Sequence, residues 1–172
     1  MIYNNIYQYV ISDRKYIMDR HKTAMFIGHS RCYQIEKETL YPIIRELIGQ
    51  GVDTFLSGGY GEFDYMSAHA VYEMKKEFPH IENLVVIPYF EFKVYEPQYI
   101  DGTLFPDGLE FVPYKAKIVQ RNRYMVQNSA YAICYVNYHF GGAGKTYEYA
   151  KKQGLKIFNL GNMKSFSIPP HN

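Results

Sequence analysis

Three short stretches of this chain combine glycine with hydroxyl, imidazole or cationic side chains in an order suited to holding an anion. They are Gly28-His29-Ser30, Ser57-Gly58-Gly59-Tyr60-Gly61 and Gly141-Gly142-Ala143-Gly144-Lys145-Thr146. Glycine lets backbone amides close on a ligand with no Cβ in the way, and a helix start adds partial positive charge. Each stretch follows an apolar run and leads toward a segment with helical patterning. Three such turns on one edge of a sheet make a phosphate-binding floor, so the chemistry expected is recognition of a nucleotide or another phosphorylated small molecule. Ser30 and Ser57 offer hydroxyl donors, and His29 either faces the ligand or bonds to backbone. Tight turns without ligand are the alternative for any one of the three.

The elements that must position these turns follow from periodicity. Thr23–Gly28 is a short apolar run, a buried strand. Residues 36–50 carry Leu40, Ile43, Ile44, Leu47 and Ile48 as a helical stripe that ends at Gly49 and Gly51. Strands are expected at 52–56, 83–89, 109–113, 131–137 and 155–160, and helices at 62–78, 115–129 and 144–153. Residues 91–109 hold Glu96-Pro97, Asp101-Gly102 and Phe105-Pro106-Asp107-Gly108, and read as a loop or lid. Alternating strands and helices predict an α/β fold, a Rossmann-like three-layer α/β/α sandwich with a mostly parallel sheet. Ligands of such sheets sit beyond the carboxyl ends of the strands, where the strand order reverses. Residues 1–22 read as an N-terminal extension packed on a single domain of residues 23–172.

With 172 residues, the chain suits one domain with a substantial core. A net charge of +2 with basic residues scattered among acids is too small to predict a polyanion groove, so nucleic acid is not an expected partner. Cys32 and Cys134 lack metal-ligand spacing and suit reduced thiols, and the histidines are scattered, so neither metal nor cofactor is expected. Neither a signal peptide nor a membrane span is legible, which points to a cytoplasmic protein. The 19 tyrosines and 11 phenylalanines, including Tyr3, Tyr7, Tyr9 and Tyr16, suit packing or a subunit interface, with some tyrosines open to stacking on a base, and a homo-oligomer is expected.

Gly141 to Thr146 invites comparison with an ATPase phosphate loop. The full motif requires glycine five residues before Gly144, where the chain has His139. No acid follows Glu148 to hold a metal, and such a loop normally opens the first strand–helix unit rather than the last. The spacing of Gly58, Gly59 and Gly61 also differs from a dinucleotide fingerprint.

Taken together, Phe26-Ile27-Gly28-His29, the segment from Phe55 to Asp64, Arg121-Asn122-Arg123-Tyr124-Met125-Val126 and the segment from Gly141 to Glu148 resemble the SLOG superfamily. This Rossmann-like group includes DprA/Smf and LOG-type proteins, and the ordered set looks most like its YpsA-like branch. The resemblance implies a nucleotide-type ligand. Because LOG proteins are phosphoribohydrolases, it also implies a second reading in which Arg121 holds the phosphate or helps the leaving base while Glu148 acts at the ribose. Arg121 and Met125 keep the LOG spacing, as do Gly141, Gly142, Gly144 and Glu148. Phe140 stands where LOG proteins have proline, Lys145 where they have threonine, and Ala130 replaces an aspartate.

A carboxylate against the sugar ring stabilises the positive charge that N-glycosidic cleavage builds there, and an arginine fork suits phosphate. Arg121 could instead form an ion pair, and Glu148 could simply serve the helix start. Asp64, in the first turn of its helix, is either a ribose contact or a helix-end acid. The expected catalytic pair is thus Glu148 and Arg121. The expected ligand-binding set is Gly28, His29, Ser30, Ser57, Gly58, Gly59, Gly61, Asp64, Asn122, Gly141, Gly142, Gly144, Lys145 and Thr146. Three functions stay open: a sensor or sequestering protein for a nucleotide-derived molecule, an N-glycosidase, and a non-catalytic interaction domain.

Overall fold

The computed structural model of the chain describes residues 10–12, 18–32 and 34–163. Its strands are β1 (Val10–Ser12), β2 (Thr23–Gly28), β3 (Thr54–Ser57), β4 (Glu82–Val86), β5 (Gly102–Phe105), β6 (Tyr131–Tyr135) and β7 (Lys156–Asn159). They form one sheet in the order β1-β5-β4-β3-β2-β6-β7, and each neighbouring pair is parallel. Four helices accompany them: α1 (Tyr41–Gly49), α2 (Glu62–Met74), α3 (Tyr114–Gln127) and α4 (Gly141–Lys152).

Alternation along the central strands decides which face each helix covers. Ala24, Phe26, Phe55, Ile133 and Tyr135 pack with Ile44, Leu47 and Ile48 of α1 and with Phe63, Ala70, Val71 and Met74 of α2. Their neighbours Met25, Ile27, Leu56, Ala132 and Cys134 pack with Met125 and Val126 of α3 and Ala150 of α4. Coverage on both faces explains why these strands read as unbroken apolar runs. The result is the Rossmann-like three-layer sandwich that the alternating pattern implies.

The chain adds β3, β4 and β5 to one side of β2, then returns through α3 to place β6 on the other side. The connections leaving β2 and β6 therefore pass to opposite faces of the sheet. A crevice opens at the carboxyl ends of this strand pair, as in other open α/β sheets.

Several boundaries differ from those expected. Residues 91–109 are not simply a loop: they contain β5, four buried residues paired between β4 and β1. The turn residues Asp101-Gly102 and Pro106 bracket this strand so tightly that only Gly-Thr-Leu-Phe remains, too short for a visible period. Residues 109–113 are not a strand; Leu109–Phe111 make a 3-10 turn, and Pro113 caps α3. Helix α4 begins at Gly141 rather than Gly144, so the third glycine run forms its first turn. Within residues 1–22, β1 pairs with β5 at the sheet edge. Arg20 ties its segment to the core, donating from Nε to Ser129 O at 2.9 Å and from Nη2 to Gln153 O at 3.1 Å. Tyr3, Tyr7, Tyr9, Tyr16 and the Pro169-Pro170 tail lie outside the described residues.

Candidate functional site

The crevice holds a cavity of about 390 Å³ built by the ends of β2 and β3, the starts of α2 and α4, and the body of α3. Its central charged group is Arg121. At the eighth position of α3, this side chain turns inward and is only 3% exposed. Nη1 donates to Gly58 O at 2.5 Å and to Val86 O at 2.7 Å, and Nε donates to Asn122 Oδ1 at 2.8 Å. Among the described residues nothing accepts from Nη2, although the guanidinium borders the cavity. The group lies so close to Gly58 that a Cβ there would stand 3.1 Å from Cζ and both terminal nitrogens. A side chain at this position would require the guanidinium to give way by a few tenths of an ångström. Burial pulls the Arg121 pKa below its ordinary value, while nearby Asp64 and Tyr89 oppose the shift.

From Arg121 a line of polar contacts runs to α4. Asn122, its Oδ1 occupied by Arg121, donates from Nδ2 to Thr146 Oγ1 at 3.1 Å, and Thr146 donates to Gly142 O at 2.8 Å. This fixes the orientation of the Asn122 amide and ties the two helices together. No side chain caps the start of α4, and its first turn holds no acid, so the amide end of the helix is free to meet an anion where Gly141, Gly142 and Ala143 line the cavity.

Asp64 faces the same space from α2. It accepts from Tyr60 N at 2.9 Å, reaching back past the N-cap Gly61 to the turn before the helix. Burial pushes its pKa up to about 6, against the opposing pull of the Tyr60 and Gly58 amides and the Arg121 charge. The first two glycine turns are stitched together beneath it. Glu62 N donates to Ser30 O at 3.0 Å, and Cys32 N donates to Glu62 Oε2 at 2.8 Å. His29 is buried, accepts from Asn137 N through Nε2 at 3.0 Å, and therefore carries its proton on Nδ1 when neutral. Burial lowers its pKa and favours that neutral form.

Of the residues singled out in the sequence, Gly28, His29, Ser30, Gly58, Asp64, Arg121, Asn122, Gly141, Gly142 and Thr146 line this cavity. The others lie elsewhere. Ser57 is fully buried and its Oγ has no partner among the described residues. Gly59 packs on Val85 and Gly61 on Ser30. Gly144 serves a close approach, since a Cβ there would sit 2.4 Å from the His139 carbonyl carbon. Lys145 is exposed. Glu148 bonds His139 Nδ1 through Oε1 at 2.7 Å and pairs with Lys151 at 3.7 Å, outside the cavity. Arg121 and Glu148 are thus not brought together there.

Sequence reasoning passed over Tyr60, Ile118, Met125, Tyr138 and Ala143 as lining residues. Ile118 and Met125 had a readable signal: they stand three before and four after Arg121, on the same helical face. Tyr138 had none, because its position depends on how the β6–α4 connection bends. Among the described residues, no group of three or more His, Cys, Asp or Glu side chains is placed to hold a metal, and no helix is long and apolar enough to cross a membrane.

No protein-family model and no curated protein sequence matches the chain. Solved structures do. DNA processing protein A (DprA) from Streptococcus pneumoniae superposes with a TM-score of 0.60 at 18% identity, over 80% of this chain and 49% of that one. DNA processing protein A from Helicobacter pylori superposes with a TM-score of 0.58 at 20% identity, over 80% of this chain and 64% of that one. The chain therefore spans about half to two thirds of the length of these proteins. The Helicobacter pylori protein is described as binding single-stranded DNA. That finding corrects the expectation set against nucleic acid: a net charge of +2 is no ground for excluding such a partner when a protein of the same fold binds one. The chain has the fold of DNA processing protein A, which is the fold its likeness to the SLOG superfamily implies.

Proposed function

We propose that the protein binds a nucleotide or nucleotide-derived phosphorylated molecule in the cavity at the carboxyl ends of β2, β3 and β6, acting as a sensor or sequestering protein. On its ordered motifs we assign it to the YpsA-like branch. The observation that carries the binding reading is the buried Arg121 guanidinium, which borders the same cavity as the uncapped start of α4. A fixed cation and a set of free amides converging on one space favour a phosphate, and the open faces of Gly141 and Gly142 allow its close approach. Asp64 and Asn122 stand on the cavity wall as ribose or base contacts.

Phosphoribohydrolase chemistry through Glu148 draws less support, because that carboxylate is bonded to His139 and does not line the cavity. The test is thermal stabilisation by nucleoside monophosphates, NAD and cyclic nucleotides, followed by chromatography of the recovered ligand. A nucleotide that stabilises the protein and returns intact is the expected result. Free base whose release depends on Glu148 would replace this reading with the enzyme, and no shift with any phosphorylated ligand would overturn both.

A further inference from the structure

A column of three rings flanks the cavity. The His29 imidazole stacks on Tyr138 with centroids 3.9 Å apart and planes at 19°, and Tyr138 stacks on Phe140 at 4.1 Å and 18°. The inner end is fixed: His29 N donates to Tyr135 O at 3.2 Å, and Nε2 accepts from Asn137 N. The outer end is open. Phe140 is 62% exposed, yet it immediately precedes Gly141, the first residue of the helical turn that lines the cavity. An aromatic side chain held near-parallel to an anchored stack, and largely exposed to solvent, is a platform suited to another flat ring.

We propose that Phe140 is the surface on which the ligand's nucleobase stacks, extending the His29–Tyr138–Phe140 column by one ring while the phosphate meets the amides of α4. The inference rests on the cavity holding a phosphate, and it adds a specificity: base-bearing nucleotides are preferred over bare sugar phosphates. Every base offers a π face, so the platform selects for the presence of a base more than for its identity. A free mononucleotide and the terminal nucleotide of a single strand share this chemistry.

The chain contains no tryptophan, so Phe140→Trp installs a sole indole reporter at the open end of the column. Adenosine monophosphate, ribose 5-phosphate and a short 5′-phosphorylated oligodeoxyadenylate are titrated against it, with thermal shift run in parallel. Adenosine monophosphate is expected to quench the indole, and ribose 5-phosphate to stabilise the protein without quenching. Phe140→Ala is expected to weaken adenosine monophosphate about 5-fold to 150-fold and to leave ribose 5-phosphate unchanged. Quenching by the oligonucleotide at lower concentration than the mononucleotide supports the same platform and identifies a strand as the source.

If ribose 5-phosphate binds wild type as tightly as adenosine monophosphate, or Phe140→Ala weakens neither, the platform is refuted while phosphate binding stands. If none of the three binds, both the function and the platform fall.

Discussion

Replacing Asp64 with asparagine tests whether burial or the Arg121 charge dominates the electrostatics of the cavity wall. Moving a carboxyl from its ordinary 3.8 to about 6 corresponds to about 3 kcal/mol of preference for the neutral form in the folded chain. The folded state therefore holds its proton more tightly than the unfolded state. Stability from this group is fully present below pH 3.8 and is lost as pH rises toward 6, after which it is level. Asparagine keeps an oxygen to accept from Tyr60 N but cannot ionise. Asp64→Asn is thus expected to be more stable than wild type at pH 8, by up to about 3 kcal/mol, with the gap closing near pH 4.

The assay is urea denaturation of both proteins between pH 4 and 8, read by circular dichroism. Taking the difference between the two curves cancels other titrating groups. One of these is Glu73, whose pKa is lowered to about 2 by hydrogen bonds from Lys37 and Tyr41 and which acts in the opposite sense. A variant less stable than wild type at pH 8 would refute the reasoning. It would mean that attraction to Arg121 outweighs desolvation and that Asp64 is ionised in a tight pair.

Arg121→Met leaves Gly58 O and Val86 O without their donor, at about 1–3 kcal/mol for each buried acceptor, and is expected to abolish nucleotide-induced stabilisation; denaturation and thermal shift read the two effects separately. Gly144→Ala forces its Cβ to 2.4 Å from backbone at His139 and is expected to lower stability by about 1–3 kcal/mol. Gly142→Ala meets nothing within 4 Å and is expected to be neutral or to stabilise by up to about 1 kcal/mol, so the two melting temperatures should separate clearly. Glu148→Gln removes a surface contact to His139 and is expected to change stability by less than about 1 kcal/mol and to leave nucleotide affinity unchanged, as measured by calorimetric titration.

The layer architecture was legible because buried parallel strands and amphipathic helices leave strong, long-range patterns. The run Thr23–Gly28 and the stripe through Ile44, Leu47 and Ile48 survive in the structure almost as read. β5 was hidden because its whole length is one short run between turn residues, and pairing with β1 and β4 rather than local propensity makes it a strand. In the site, Arg121, Asp64 and the first glycines of each turn line the cavity, whereas Ser57, Lys145 and Glu148 do not. For Lys145 and Glu148 the difference is one of helical phase along α4, whereas Ser57 is buried at the end of β3. A glycine run shows that backbone needs room, but not whether that room stays open, as at Gly142, or is taken by the chain itself, as at Gly58 and Gly144.

Strand β2 supplies the floor of the cavity, yet its partner β6 lies more than a hundred residues further along the chain. During synthesis the first strands and their helices emerge with this side of β2 bare, and the Ala24 to Gly28 edge stays open until residues 131–135 leave the ribosome. The cavity wall formed by α4 is later still. A chain truncated after α3 would therefore expose an unpaired, apolar central strand, and loss of about the last quarter should give aggregation rather than a smaller folded protein.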